Sequence, residues 1–156
     1  MKKIILLVCC FVSLAMYSQT DGVGINTTEP KSTLDINGNL SVKHITLTGS
    51  GTPTLISDGV YISINPTAND QDFELPDPRE FPGRIYVIRN VNDTLDADVT
   101  MDATTISDGV LFFAGDSSTG FSGPVNMDTN VGGGHRNKTL IFISDGSNWT
   151  YGHLGF

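Results

Sequence analysis

Residues 22–42, GVGINTTEPKSTLDINGNLSV, are the stretch on which the interpretation of the whole chain depends. Their few apolar side chains are strictly ordered, with one pair before a polar turn at Pro30 and two alternating pairs after it, around Asn37 and Gly38. So little apolar surface cannot support an independent fold. The pattern therefore predicts a β segment whose apolar side needs a partner, formed by Val23, Ile25, Leu34, Ile36, Leu40 and Val42.

The start of the chain has the pattern of a secretory signal peptide. Lys2 and Lys3 precede an apolar run over residues 4–16, and small or polar residues follow at 18–20. The run is shorter than the roughly 20 residues that a membrane-spanning helix needs. A cleaved signal over residues 1–19 is therefore favoured over an uncleaved anchor. We expect a secreted or cell-surface protein with no transmembrane segment after cleavage.

Cleavage would remove Cys9 and Cys10 and leave about 137 of the 156 residues, enough for one domain. A mature chain without cysteine has no disulfides, so its stability must come from its core, a metal or oligomerisation. Lys2 and Lys3 are removed with the signal peptide, so 7 of the 9 basic residues remain against 17 acidic ones. The net charge of the mature chain is therefore about −10. Such a charge argues against nucleic acids and anionic membrane surfaces as partners.

The mature chain has the composition of an all-β protein. Helical periodicity is absent, and Gly, Asn, Asp, Ser and Thr interrupt the sequence at short intervals. We expect a compact antiparallel head, a sandwich or knob, over residues 50–156. Continuous apolar runs at 85–88 and 140–143 predict central strands covered on both faces. The predicted strands are 40–48, 60–65, 72–75, 84–90, 97–101, 110–114, 139–144 and 149–153.

The tripeptide Ser-Asp-Gly follows an isoleucine three times, ending at Gly59, Gly109 and Gly146. Because Asp tolerates left-handed backbone angles and Gly adopts them freely, each copy predicts a tight turn between strands. Unequal spacing favours recurrent turn chemistry over an internal duplication. Two long connections, 65–83 and 115–137, are expected to be functional or to pack against a neighbouring subunit.

The motif of residues 22–30, GVGINTTEP, followed by residues 34–40, LDINGNL, resembles Gly-Ile-Gly-Thr-x-x-Pro-x-x-x-Leu-Asp-Val-x-Gly. That motif recurs in phage tail-fibre proteins and in secreted fibre-like surface proteins of the Bacteroidetes. The resemblance implies a homotrimeric β stem, which we place at residues 20–49. Residues 73–77, 82–90 and 140–149 look like the small β head domains that follow such stems.

A trimer also has a physical rationale. Three copies wound about one axis can bury Leu34, Ile36, Leu40 and Val42 together, whereas a single extended copy leaves them in water. The alternative is an N-terminal arm that folds back onto its own head.

Two acidic clusters are weak candidates for calcium, which takes six to eight oxygen ligands. Neither has the spacing of an EF-hand loop, so solvated loops are the better interpretation. The first contains Asp70, Asp72, Glu74 and Asp77, and the second Asp93, Asp96, Asp98 and Asp102; Asp70, Asp72, Asp96 and Asp98 are the metal candidates. On a trimer axis, His44 or His135 could also be repeated around a metal. No cofactor is expected.

An enzyme is not expected, because the chain lacks a Gly-x-Ser-x-Gly elbow and a mature cysteine nucleophile. Trp149 and Tyr151 alternate on one predicted strand and could stack on a sugar ring, although packing explains such aromatics more often. Asp93-Thr94-Leu95 resembles the O-glycosylation acceptor of Bacteroidetes exported proteins, which makes Thr94 a candidate for modification.

The sequence thus favours a secreted structural or adhesive fibre or knob protein that self-assembles as a homotrimer and presents loops at the cell surface. Two alternatives remain open. One is a monomeric β-sandwich module that binds surface glycans. The other is a subunit of a larger outer-membrane or surface complex.

Overall fold

The computed structural model describes residues 23–29, 32–129 and 136–153. The predicted signal peptide, residues 1–19, lies outside these ranges, as does His135. The chain forms two compact units, Met1–Ser41 and Val42–Phe156. The described residues are predominantly β, as the sequence predicts.

The first unit contains two short strands, β1 (Val23–Ile25) and β2 (Leu34–Ile36), which pair in parallel. The predicted stem is therefore not continuously extended, because the chain turns after Ile25 and returns to run beside itself. Asn26 enters this turn at φ 60° and its side-chain amide donates to the carbonyl of Asn37 at 2.9 Å. Gly24 is required, since a Cβ there would lie 2.5 Å from the carbonyl oxygen of Thr27.

The described part of the second unit, the head, contains the remaining strands, one five-residue helix and one 3-10 helix. The elements are β3 (His44–Thr48), β4 (Thr54–Leu55), β5 (Tyr61–Asn65), β6 (Gln71–Leu75), β7 (Ile85–Asn90), β8 (Ala97–Met101), α1 (Ala103–Ser107), β9 (Phe112–Ala114), β10 (Gly120–Phe121), β11 (Val125–Met127), the 3-10 helix (Arg136–Lys138), β12 (Thr139–Ser144) and β13 (Trp149–His153).

The head strands form two sheets. The seven-stranded sheet has the order β10-β9-β13-β12-β7-β5-β3, and the four-stranded sheet has the order β11-β8-β6-β4. From β3 to β8 the chain alternates between them, so each strand pairs in parallel with the next strand but one. The first half of the head is therefore a solenoid-like coil of three turns.

The prediction of an antiparallel head is wrong, because the pairing is mixed. It assumed that Gly- and Pro-containing turns reverse the chain within one sheet. In the coil, those turns instead carry the chain across to the other sheet, and the next strand in the same sheet runs in the same direction. Antiparallel pairing joins β7 to β12, β12 to β13, β9 to β10, and β8 to β11.

The boundary between the two compact units lies within residues 20–49, the predicted stem. Strand β3, which lies within residues 20–49, pairs with β5 and belongs to the head sheet. The first compact unit ends at Ser41.

Strands β7 and β12 are central in the seven-stranded sheet, as predicted, but they are covered on one face only. Tyr86 and Ile88 of β7 are fully buried, whereas Ile85 is 42% exposed. Strand β12 repeats the pattern, with Phe142 buried and Ile143 39% exposed. In each of these apolar runs, alternate side chains therefore lie in the core and on the outer face of the sheet.

One hydrophobic core is built from the inner faces of both sheets. Trp149 is its largest fully buried side chain, and it packs on Tyr86 with ring centroids 5.8 Å apart. The indole Nε1 donates to the carbonyl of Pro76 at 3.1 Å, which ties β13 to the connection after β6. The buried Asn90 likewise donates to the carbonyls of Leu95 and Met127.

The three Ser-Asp-Gly tripeptides are tight turns with positive φ at the glycine: 80° at Gly59, 86° at Gly109 and 88° at Gly146. The first joins β4 to β5 and the third forms the β12–β13 hairpin. The second does not join two strands, since it ends α1 before β9. Helix α1 was not predicted from the sequence. Asp102 caps the N-terminus of this helix, and its carboxylate accepts from the amides of Thr104 and Thr105.

Candidate functional site

The six predicted stem residues are placed mainly on exposed surface. Parallel register pairs Val23 with Leu34 and Ile25 with Ile36, so these four side chains share one face of the two-stranded ribbon. The register partners Gly24 and Asp35 occupy the other face. An isolated two-stranded unit of this size is marginal in water, because it has no second layer to cover its apolar side.

Exposure identifies this segment as the main uncovered apolar surface. The described residues have nine exposed large hydrophobic side chains, and five belong to the predicted stem. Ile36 is half-buried. The five exposed stem residues are Val23, Ile25, Leu34, Leu40 and Val42.

A groove of about 600 Å³ lies at the end of the head formed by β9, β10, β11 and β13. Phe121 and Tyr151 supply aromatic surface, and Asp116, Asn126 and His153 supply polar groups. Phe121 is exposed, while Tyr151 is half-buried. The groove thus combines apolar and hydrogen-bonding groups, which are the usual components of a small-ligand site.

Tyr151 belongs to an aromatic cluster beneath the groove. Its ring stacks on Phe142 with centroids 5.9 Å apart, and Phe112 and Phe121 meet it edge-on. Burial, reinforced by the negative charge of Asp116, raises the pKa of Tyr151 above its ordinary value. The ring is therefore largely a packing element, whose hydroxyl is protonated at neutral pH.

Trp149 is not available to a ligand. Its side chain is 0% exposed and its indole N–H is used by Pro76. Packing, the interpretation that the sequence favours, therefore explains Trp149, and the alternative of a sugar stacked on its ring does not fit its burial. Alternation along β13 does not keep Trp149 and Tyr151 equally accessible, because Trp149 lies deeper in the core.

The two acidic clusters, which are far apart in sequence, meet on the outer face of the four-stranded sheet. Asp72 on β6 is the register partner of Asp98 on β8, and Asp98 is the partner of Asn126 on β11. Glu74 lies two register pairs further along β6, on the same face as Asp72. We call the surface formed by Asp72, Glu74 and Asp98 the acidic face.

Burial is the main cause of the raised pKa values of two carboxyl groups on the acidic face. Burial raises the pKa of Asp98, and the negative charges of Asp70, Asp72 and Asp96 raise it further. The side-chain amide of Asn126 donates a hydrogen bond to Asp98 at 2.9 Å and partly offsets this rise. Burial, with the charges of Asp102 and Asp72, also raises the pKa of Glu74. These carboxylates are crowded, and no cation compensates them among the contacts described.

Other acidic side chains in the clusters are used within the protein. The Asp96 carboxylate accepts from the amide and hydroxyl of Thr129 at 2.6 and 2.8 Å. Asp77 is paired with Arg79, which also reaches Asp108 at the end of α1. Within the described residues, no group of three or more His, Cys, Asp or Glu side chains is arranged to hold a metal ion.

The remaining candidates are dispersed. The Nε2 atom of His44 lies 3.0 Å from the Ser63 hydroxyl, and its ring packs beside Tyr61. Thr94 is exposed, in a turn where its amide and hydroxyl donate to the Asn92 side chain. Thr94 is therefore accessible to modification. Among the described residues, neither His44 nor Thr94 lies beside another of the predicted metal-binding or ligand-binding residues.

Comparison with protein-family models, with curated proteins and with solved structures found no match to this chain. Within the described ranges, no helix is both long and apolar enough to cross a membrane.

Proposed function

We propose that this chain is a secreted structural or adhesive protein that assembles as a homotrimer through its N-terminal segment and presents its β head at the cell surface. The observation that carries the proposal is the set of exposed apolar side chains within residues 23–42. Five large hydrophobic residues in this short segment are uncovered in the single chain. Water-exposed apolar area of this kind is unfavourable by about 25 cal/mol per Å², so a covering surface is expected.

Further copies of the same segment are the simplest cover. The face that carries Val23, Ile25, Leu34 and Ile36 bears no charged group of its own, whereas Asp35 belongs to the opposite face. A three-fold axis can bring three such faces together and leave the polar faces in water. The head, with its long connections 65–83 and 115–137, would then be displayed outside the stem.

The test compares two leucines of nearly equal exposure. Leu34 in the stem is 56% exposed and Leu55 in the head is 55% exposed. The variant Leu34→Ser should lower the assembled fraction of the mature chain at micromolar concentration, as measured by light scattering. The matched variant Leu55→Ser should leave it unchanged. A folded wild-type monomer at that concentration would overturn the proposal.

A second candidate is a glycan-binding head, favoured by the groove beside Phe121 and Tyr151. Exposed Phe121 offers an aromatic surface next to Asp116 and Asn126, which suit the hydroxyl groups of a sugar. Glycan-array binding that is lost in Phe121→Ala but kept in Leu55→Ser would support it. Absence of binding by the folded wild type would count against it.

A further inference from the structure

Part of the outer face of the seven-stranded sheet is an apolar surface without carboxylates, on a strongly acidic protein. Register pairs place Tyr61, Val87 and Ile141 in one row across β5, β7 and β12, and His44 on β3 continues this row. The next row contains Ile85, Ile143, Thr150 and Phe113. We call the surface formed by Tyr61, Ile85, Val87, Phe113, Ile141 and Ile143 the apolar face.

The apolar face is uncovered in the single chain. Ile85 and Ile143 are directly opposite each other on β7 and β12, and they are 42% and 39% exposed. The other members, Tyr61, Val87, Phe113 and Ile141, are half-buried. A contiguous exposed patch in the middle of a sheet, away from its edges, is characteristic of an interaction surface.

Charge distribution indicates what covers it. The seven strands of this sheet, all of them described, contain no aspartate or glutamate, although the chain has 17 acidic residues. Arg89 is the charged side chain on the adjoining row, which otherwise contains Thr46, Ser63 and Thr139. The acidic face lies instead on the outside of the other sheet, with Asp72, Glu74 and Asp98.

Two copies of a protein with a charge near −10 repel each other wherever their acidic surfaces meet. The apolar face is where copies can approach without placing carboxylates together and can remove isoleucine surface from water. A basic partner would instead be drawn to the acidic face. We infer that the apolar face is the contact between heads of neighbouring copies of this chain, an inference that rests on the proposed self-assembly.

Cysteine labelling tests the contact without breaking it. The mature chain expected after signal cleavage contains no cysteine, so Ile143→Cys and Leu55→Cys each introduce a single thiol. Both positions are exposed in the single chain. At micromolar concentration the thiol at position 143 should react with a maleimide at least about tenfold more slowly than the thiol at 55, and dilution below the assembly concentration should remove the difference. Equal rates in an assembled protein would overturn the inference.

A disruptive variant gives a second readout. Ile85→Thr with Ile143→Thr keeps β-forming residues and removes apolar surface. It should raise the concentration at which half of the assembly dissociates by about tenfold or more, while Leu55→Thr should not. If the wild type assembles and the Ile-to-Thr variant dissociates no more readily, the inference fails and the proposed trimer stands. If the folded wild type is monomeric, the proposed trimer fails as well.

Discussion

Asp72 and Asp98 face each other as register partners on the parallel strands β6 and β8, although 26 residues separate them in the sequence. Asp98 accepts a hydrogen bond from Asn126, yet its pKa is raised by burial and by the nearby carboxylates. The sheet therefore brings two acidic segments together on one surface, and the folded chain binds a proton at Asp98 more readily than the unfolded chain does.

This pairing predicts a pH-dependent gain from Asp98→Asn. Because the folded-state pKa is raised, ionised Asp98 opposes folding at neutral pH, and this opposition falls away as the pH drops to and below the raised pKa. Asn removes the charge and can still accept from Asn126. The variant should melt at a higher temperature than wild type at pH 7 and at the same temperature near pH 3. Exposed Glu80→Gln serves as the control, and a lower melting temperature for Asp98→Asn at pH 7 would contradict this account.

Replacing glycine by alanine should lower the free energy of unfolding by different amounts in two of the Ser-Asp-Gly turns. Gly59 and Gly109 both have positive φ, so alanine is strained by roughly 1–2 kcal/mol at either site. An added Cβ at Gly59 would also lie 3.1 Å from Ile45 Cγ1, whereas at Gly109 it would meet no heavy atom within 4 Å. Denaturant unfolding should show a larger loss for Gly59→Ala than for Gly109→Ala. Equal losses of stability for the two variants would mean that the Ile45 side chain moves away from the added Cβ at little energetic cost.

Asn90 predicts the effect of removing a buried amide. Its side chain donates to the carbonyls of Leu95 and Met127 at 2.9 and 3.1 Å and accepts from the amide of Asn92 at 2.9 Å. Asn90→Ala removes these three hydrogen bonds, so the free energy of unfolding should fall by about 3 kcal/mol. Asn39→Ala, at an exposed position, should change it by less than about 0.5 kcal/mol. Similar values for the two variants would show that water replaces the lost contacts.

Because Trp149 is buried in the core, replacing it should destabilise the fold, and a loss of ligand binding in such a variant could result from unfolding. Trp149→Ala should lower the free energy of unfolding by roughly 3–5 kcal/mol, a large share of the 5–15 kcal/mol typical of a domain. Tyr151→Phe keeps its ring in the aromatic cluster and should cost less than about 1 kcal/mol. Chemical denaturation of both variants gives the comparison. A small effect of Trp149→Ala would contradict the assignment of the indole to the core.

The sequence predicted the elements of the fold better than their pairing. Alternation and turn residues are local signals, so β12 (Thr139–Ser144) and β13 (Trp149–His153) were predicted at their observed bounds. Strands β4 and β10, of two residues each, are too short to show alternation. The parallel coil was missed because pairing of β5 with β3 and β7 is a long-range relationship that no turn in the sequence reveals.

The sequence predicted which residues belong to the candidate sites, but it did not predict how those residues are arranged in space. The apolar pattern of residues 23–42 was visible, but the folding back of β2 beside β1 was not, since it depends on a close approach at Gly24. The run at 140–143 signalled burial, yet alternate residues of a strand face opposite sides of its sheet. That geometry leaves Ile143 outside while Phe142 is in the core.

Self-assembly is the central claim, and the mass of the mature chain in solution tests it most directly. Light scattering on residues 20–156 at micromolar concentration, without heating or denaturant, should give three times the mass of one chain. Circular dichroism on the same sample should show β structure. A well-folded protein with the mass of a single chain would contradict the account, because the exposed side chains from Val23 to Val42 would then remain uncovered.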